Sequence, residues 1–303
     1  MNIIKHKNFY FLLSVVVIIP GLISLLFFGL KLSIDFTGGS RLTIAYKNAK
    51  EITTSRVENI FTDNKIGVHA ITNPSINTVS IRSEIIDQKA KDLLISDLRK
   101  LDSEIVEKGF DTVGPTIGKE TESNALKAVL IASLAITLFI AFAFRGVSHP
   151  VASWKFGLIA IAALLHDVVI VVGVFSILGK VFGVEIDALF ITALLTVMGF
   201  SVHDTIVVFD RIRENLKRHI GTPFETIVGN SITETFNRSL NTSLTVVVVL
   251  FTLLLFGGEG IRWFVVALLV GIISGTYSSI FTASPLLVVW YEWDKKKQNK
   301  KKG

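Results

Sequence analysis

The chain has no cysteine. No disulfide and no thiolate metal site can form, although this leaves the compartment open. Charge is also scarce: 18% of the residues are charged, while half are hydrophobic. No G-x-S-x-G, H-E-x-x-H or paired G-x-G-D pattern occurs. A membrane hydrolase reading therefore lacks its local signatures, and no enzyme is expected.

What is present is apolar sequence in long runs. A helix needs about 20 such residues to cross a bilayer. Six runs reach that length, at residues 9–30, 125–144, 156–179, 188–209, 239–258 and 263–291. With a positive mean hydropathy, this is the composition of a polytopic membrane protein. The first run follows Lys5, His6 and Lys7, as in a signal peptide. Its apolar core is too long for a cleaved segment and no A-x-A site follows, so it is expected to remain as a helix.

The net charge of +6 is unevenly spread. Lys295, Lys296, Lys297, Lys300, Lys301 and Lys302 form a basic tail, and Arg211, Arg213, Lys217 and Arg218 form a second cluster. Beside membrane spans, such clusters read as orientation signals rather than nucleic-acid sites. They put both termini, the loop of Arg145 and Lys155, and residues 210–238 on the cytoplasmic side. The stretches 180–187 and 257–262 carry one basic residue each and fall on the other side.

The expected division is 1–34 for the N-terminal segment and first span, 35–122 for an extracytoplasmic domain, 123–294 for a five-helix bundle, and 295–303 for a cytoplasmic tail. Within 35–122, residues 41–46 alternate polar and apolar, which predicts a strand. Val57, Ile60 and Phe61 share one face of a helix over 54–64. Residues 68–72 and 78–83 read as strands around an Asn73-Pro74 turn. Ala90, Leu93, Leu94, Leu98 and Leu101 mark an amphipathic helix over 88–101, and 104–112 is a last strand. The order β-α-β-β-α-β is ferredoxin-like. Between the fourth and fifth spans, Thr222, Pro223 and Glu225 predict a helix start. Phe224, Ile227, Val228, Ile232 and Phe236 then form the apolar stripe of an amphipathic surface helix.

Two acids interrupt the apolar runs, each after a histidine: His166-Asp167 and His203-Asp204. A charge in hydrocarbon costs about 2.5–3.5 kcal/mol on insertion scales, so such acids mark an ion or proton path. Asp204 lies in the inner half of the fourth span. Arg238 opens the fifth, antiparallel to it, which places the two at similar depth. An arginine keeps its charge, so its approach and withdrawal can switch a carboxyl between proton uptake and release. Thr242, one turn beyond Arg238, and Thr245 suit a polar file. The bland alternatives are a fixed ion pair or an arginine that snorkels to the interface.

Asp167 sits deeper and is either the proton site itself or a partner that orients it. His166 and His203 lack a third metal ligand and read as hydrogen-bonded core histidines. No metal or cofactor is expected. Thr192, Thr196, Gly199 and His203 share a face of the fourth span, as in a helix packed inside a bundle. Gly271, Gly275, Ser274, Ser278, Ser279 and Ala283 form a small-residue surface in the sixth, for another helix of this chain or of a partner. Pro285 predicts a kink.

Several segments carry a family resemblance. Residues 34–40, Ile-Asp-Phe-Thr-Gly-Gly-Ser, resemble the D-F-T-G-G signature of the bacterial SecD/SecF translocase subunits. Residues 112–120, 164–169, 200–215, 237–243 and 275–285 resemble segments of the SecF branch. The one short outer domain is also SecF-like, since SecD has a far larger first outer domain. The resemblance implies a half-unit of RND-superfamily type, paired with SecD into a twelve-helix assembly. That assembly associates with the SecYEG channel in the bacterial inner membrane and uses the proton gradient, or sodium in some members, to help preproteins emerge. It implies coupling roles for Asp204, for Arg238, which approaches an acid of SecD, and for its neighbour Thr242. Asp167 matches a family acid, and His203 departs from the asparagine many members carry. The residues alone reach an ion-coupled six-helix membrane protein with an outer α/β domain, and an RND-type exporter of small molecules or lipids is the alternative function.

Overall fold

In the computed structural model, residues 3–47, 52–73, 76–145 and 151–302 are described. Pro74, half of the expected Asn73-Pro74 turn, lies outside them. The elements run α1 (Lys7–Phe28), α2 (Ile34–Thr37), β1 (Gly39–Ala45), α3 (Thr54–Asp63), β2 (Val68–Thr72), β3 (Thr78–Ser83), α4 (Gln88–Arg99) and β4 (Val106–Val113). Then follow α5 (Pro115–Ala143), α6 (Ser153–Phe182), α7 (Ala188–Arg218), α8 (Phe224–Phe256), α9 (Arg262–Tyr277), a π-helical turn (Ser278–Ala283) and α10 (Ser284–Lys302). Two units emerge: a helical one (Met1–Leu30, Ala128–Val184, Leu189–Gly303) and an α/β one (Lys31–Lys127, Glu185–Ala188).

Among the described residues, six helices are long and apolar enough to cross a membrane: Ile4–Phe28, Pro115–Ala143, Ser153–Phe182, Ala188–Arg218, Phe224–Phe256 and Glu259–Lys300. Inside the helical unit, small residues set the closest approaches. A Cβ on Gly21 of α1 would lie 3.0 Å from the Gly173 Cα of α6. One turn further on, Ser24 and Ser176 share a 2.9 Å hydrogen bond. Lys7 pairs with Glu292 at 2.5 Å and Lys155 pairs with Asp294. The starts of α1 and α6 and the middle of α10 therefore meet, beside a core built on Phe144, Phe156 and Phe209.

Three expectations change here. The amphipathic segment and the fifth span are one continuous helix, α8. No proline interrupts residues 224–284, and the buried stripe of Phe224, Ile227, Val228 and Ile232 runs on into Thr235, Ser239 and Ser243. Arg238 thus lies within a helix rather than at its start. Pro223 is the N-cap, not the first helical residue. Its carbonyl accepts from the amides of Thr226 (3.0 Å) and Ile227 (3.1 Å), so Thr222 is not needed as a cap. Near Pro285, which cannot donate to the helix ladder, the irregularity takes the form of the π-helical turn. There Ser284 Oγ donates to the Ser279 carbonyl at 3.0 Å. The helix then runs on through the basic tail to Lys302.

The α/β unit is a four-stranded antiparallel sheet in the order β2-β3-β1-β4. With α3 after β1 and α4 after β3, this is the ferredoxin-like arrangement. Period-two alternation turns Leu42, Ile44, Val79 and Ile81 inward, against Val57 and Phe61 of α3 and Leu94 and Leu98 of α4. Side-chain caps start both helices: Thr53 accepts from the Arg56 amide and Asp87 from the Ala90 amide. Glu185–Ala188 belongs to this unit, joined by a parallel bridge between Leu32 and Ile186.

Candidate ion-coupling site

Asp167 is fully buried on α6 and surrounded by donors. Its Oδ2 accepts from Ser201 Oγ of α7 at 2.6 Å and from Ser278 Oγ of the π-helical turn at 2.7 Å. Its Oδ1 accepts from Ser274 Oγ of α9 at 2.7 Å and lies 2.9 Å from His166 Nδ1. Hydroxyl–carboxylate bonds this short are strong. Gly275 permits the cluster: a Cβ there would stand 3.1 Å from the Ser201 Cβ and 3.6 Å from Asp167 Oδ2. Only a residue without a side chain brings α9 close enough for serines from both helices to reach one carboxylate. The His166 ring stacks on Tyr277, with centroids 6.4 Å apart. Among the described residues its buried Nε2 has no hydrogen-bond partner.

Asp204, on α7 after Ser201, is equally hidden at 2% exposure, but its surroundings differ. Ser243 Oγ of α8 lies 3.5 Å from its Oδ2, beyond the usual O–H···O range of about 2.5–3.0 Å, and the Thr276 hydroxyl of α9 faces it too. Ser243 is itself engaged with Thr276 of α9 at 2.6 Å. Asp204 therefore stands outside a tight donor network, whereas Asp167 holds three helical elements to its own.

The remaining expected residues lie elsewhere. Arg238 is exposed on this chain's surface. The nearby ion pairs are Arg211 with Glu214 and Glu234, and Arg218 with Glu214, and among the described residues Arg238 joins none. The structure therefore brings Asp204 together with Ser243 and Thr276; Arg238 lies near enough to act on it by charge but, among the described residues, makes no ion pair with it. Thr242 is exposed, its hydroxyl donating back to the Arg238 carbonyl at 2.9 Å, and Thr245 is exposed too. His203 is exposed rather than a core histidine, and Thr192, Thr196 and Gly199 on the same face of α7 are exposed with it. A helix wholly packed inside this chain's bundle would have hidden them. Conversely, Gly271 and Gly275 are consumed within the chain: a Cβ on Gly271 would fall 2.2 Å from a Val197 methyl of α7.

The residues missed were the hydroxyl donors. Ser201 and Ser243 drew no notice, and Ser274 and Ser278 were read only as small packing residues. The usable signal was the acid itself, since a buried carboxylate needs several donors and apolar spans offer little else than serine and threonine.

Comparison with known proteins places this geometry. Residues 94–293, which include both acids and Arg238, match the model of the protein export membrane protein SecD/SecF C-terminal family. Residues 23–50 match the SecD/SecF GG motif. Protein translocase subunit SecF of Thermobaculum terrenum is 47% identical, over 97% of this chain and 95% of its own length. Protein translocase subunit SecDF of Bacillus subtilis is 36% identical over 97% of this chain, which spans 39% of that longer protein. A crystal structure of SecDF, a translocon-associated membrane protein from Thermus thermophilus, aligns with a TM-score of 0.83 and 32% identity, covering 96% of this chain and 39% of that one. An end-to-end relative at this identity and a family model across most of the sequence lead to one conclusion: the chain belongs to the SecF branch of the SecD/SecF family of membrane proteins.

Proposed function

We propose that this chain is an ion-driven subunit of a protein-export machine. It works beside a SecD-like partner in the bacterial inner membrane to help preproteins leave the SecYEG channel. Both termini face the cytoplasm, residues 35–122 form the extracytoplasmic domain, and a proton or sodium gradient supplies the drive. The observation that carries this reading is Asp204: an acid 2% exposed inside an apolar span, with no short hydrogen bond to hold it as Asp167 is held. Nothing about its packing explains an acid there, and exchange of a proton or ion does. Asp167, by contrast, is the fixed acid that holds α7 in place.

The partner is supported by what this chain leaves uncovered. Arg238 and His203 are exposed on helices long and apolar enough to cross a membrane, where lipid cannot satisfy them. A second helical protein with an acid facing Arg238 completes the charge balance. In SecDF relatives a region like this chain occupies 39% of one longer polypeptide, consistent with such pairing. The relatives are translocase subunits, which favours a transport role over an enzyme and leaves no observation for the small-molecule or lipid exporter.

Asp204→Asn tests the reading. The variant should insert, co-purify with its partner and melt at the native temperature, yet lose gradient-stimulated export. Asp167→Asn should lose stability as well, because an amide cannot accept all four donors. Uncoupler-sensitive export at the normal rate in Asp204→Asn would overturn the assignment.

A further inference from the structure

The signature Asp35-Phe36-Thr37-Gly38-Gly39 plays no part in the coupling site, yet its acid has a defined task. Asp35 Oδ2 accepts from the amide of Ala188 at 3.0 Å. Ala188 is the first residue of α7, the helix of Asp204. The first amides of a helix have no partner within it, and an acidic oxygen there both caps them and suits the helix dipole. We propose that Asp35 and Glu185 are positioning residues that fix the start of α7, so that movement of the α/β unit is delivered along α7 to Asp204. The proposal rests on the reading of Asp204 as the coupling acid.

Two further sets of contacts, both within the α/β unit, hold the segment Glu185–Ala188 that opens into α7. The Ser33 amide donates to the Ile186 carbonyl at 2.9 Å, and the Ile186 amide to the Lys31 carbonyl at 2.8 Å. Glu185 takes two arginines, Arg41 of β1 at 3.3 Å and Arg82 of β3 at 3.1 Å. Those arginines are direct cross-strand partners. Like charges facing each other across a sheet repel, and the single glutamate between them turns that cost into an anchor. Arg82 also donates to the Leu32 carbonyl at 2.5 Å.

The glycines of the signature hold Asp35 itself. Gly38 and Gly39 have φ of 73° and 115°, conformations that side chains disfavour. A Cβ on Gly39 would lie 2.7 Å from the Ser83 carbonyl oxygen, and one on Gly118 would lie 2.8 Å from the Gly38 nitrogen. Ser33 caps the one-turn helix α2 through the Asp35 amide, which leaves the Asp35 carboxylate for α7. From Ala188 to Asp204 there is one unbroken helix, about 24 Å long at 1.5 Å per residue. Such a rod carries a displacement from one end to the other.

The test is export in cells where variants replace the resident copy, with amide hydrogen exchange on the purified complex. Asp35→Ala should slow gradient-stimulated export about fivefold and speed exchange at Ala188 by a similar factor, the usual worth of a cap. Asp35→Asn, which still caps but carries no charge, should restore both. Leu32→Cys/Ile186→Cys adds a covalent link between bridged residues in a chain without other cysteines. In the Asp35→Ala background its oxidation should rescue export. Asn as damaging as Ala would overturn the proposal, since charge rather than capping would then matter. Loss of export on oxidation of the two thiols to the disulfide with Asp35 intact would overturn it too, since the segment would have to separate. Faster exchange at Ala188 with export unchanged would break the link to coupling. Full activity of the Asp204→Asn control would remove the coupling reading alone, because exchange at Ala188 does not depend on it.

Discussion

In the α/β unit the side chains withdrawn from the surface are Leu42, Ile44, Phe61, Ile81, Leu94 and Leu98, each 1% exposed or less. At the centre of the helical unit they include Ser201, Ser239, Ser278, Ser279, Ser284 and two aspartates. Large apolar residues lie outside instead: Leu26 is 82% exposed, Phe27 78% and Phe256 84%. The difference follows from the solvent. In water, burying apolar surface contributes about 25 cal/mol per Å². In lipid that drive between helices vanishes, and close contact and hydrogen bonds take over. A hydroxyl-rich interior is what lets this chain keep two acids inside the membrane at all. One of them is held by short hydroxyl bonds, and the other meets only a more distant hydroxyl at 3.5 Å.

The largest effect should come from filling a helix contact. Gly271→Leu would force side-chain atoms into Val197, where even a Cβ stands 2.2 Å from a methyl. We expect almost no monodisperse protein in mild detergent. Ala135→Leu places the same side chain on the exposed side of α5 and should leave the yield unchanged. Equal yields for the two would mean that small-residue contact does not hold the bundle.

A truncation series sharpens the contrast. Phe61→Ala, which empties a fully buried site in the α/β unit, should cost about 3–5 kcal/mol and melt that unit early. Phe27→Ala removes the same ring from an exposed position on α1 and should change the melting temperature little. Thermal melts of the two full-length variants make the comparison. Similar losses would show that Phe27 packs against protein rather than lipid.

The strands and helices of the α/β unit were readable in the sequence because water imposes a pattern. Residues 41–46 show the alternation, and 88–101 the helical stripe. The six spans were readable because lipid demands length. What stayed hidden were the contacts between helices. Val197 with Gly271 and Asp167 with Ser201, Ser274 and Ser278 join residues far apart in sequence, and no periodicity reports such pairings. The exposure of Arg238, Thr192 and His203 was hidden for a related reason: a polar face looks the same in sequence whether its own chain covers it or another does. The continuity of α8 was missed because the amphipathic stripe and the span differ in composition, while the backbone only registers breakers such as Pro223.

The smallest effect belongs to the water-exposed side of the α/β unit, where charge acts weakly. Asp97 on α4 accepts from Lys100 Nζ at 2.6 Å and from Asn64 Nδ2 at 3.0 Å. These two bonds, Lys100 first, hold its carboxyl below the usual carboxylate range. A group depressed in the folded state contributes stability that is complete above its unfolded value, about 3.9 for aspartate, and is lost as the pH falls through the folded one. Acidification from about pH 5 should therefore erode the unit slightly, and Lys100→Ala should flatten that part of the curve. Because Lys100 is largely open to water, at 74% exposure of its side chain, salt should shrink the effect further. The measurement is the melting temperature of native and Lys100→Ala protein between about pH 3 and pH 6 at low and high salt. No membrane-embedded acid should share this salt sensitivity. If the Asp204→Asn difference in export vanished in high salt as well, the two units would not differ in the way their burial implies.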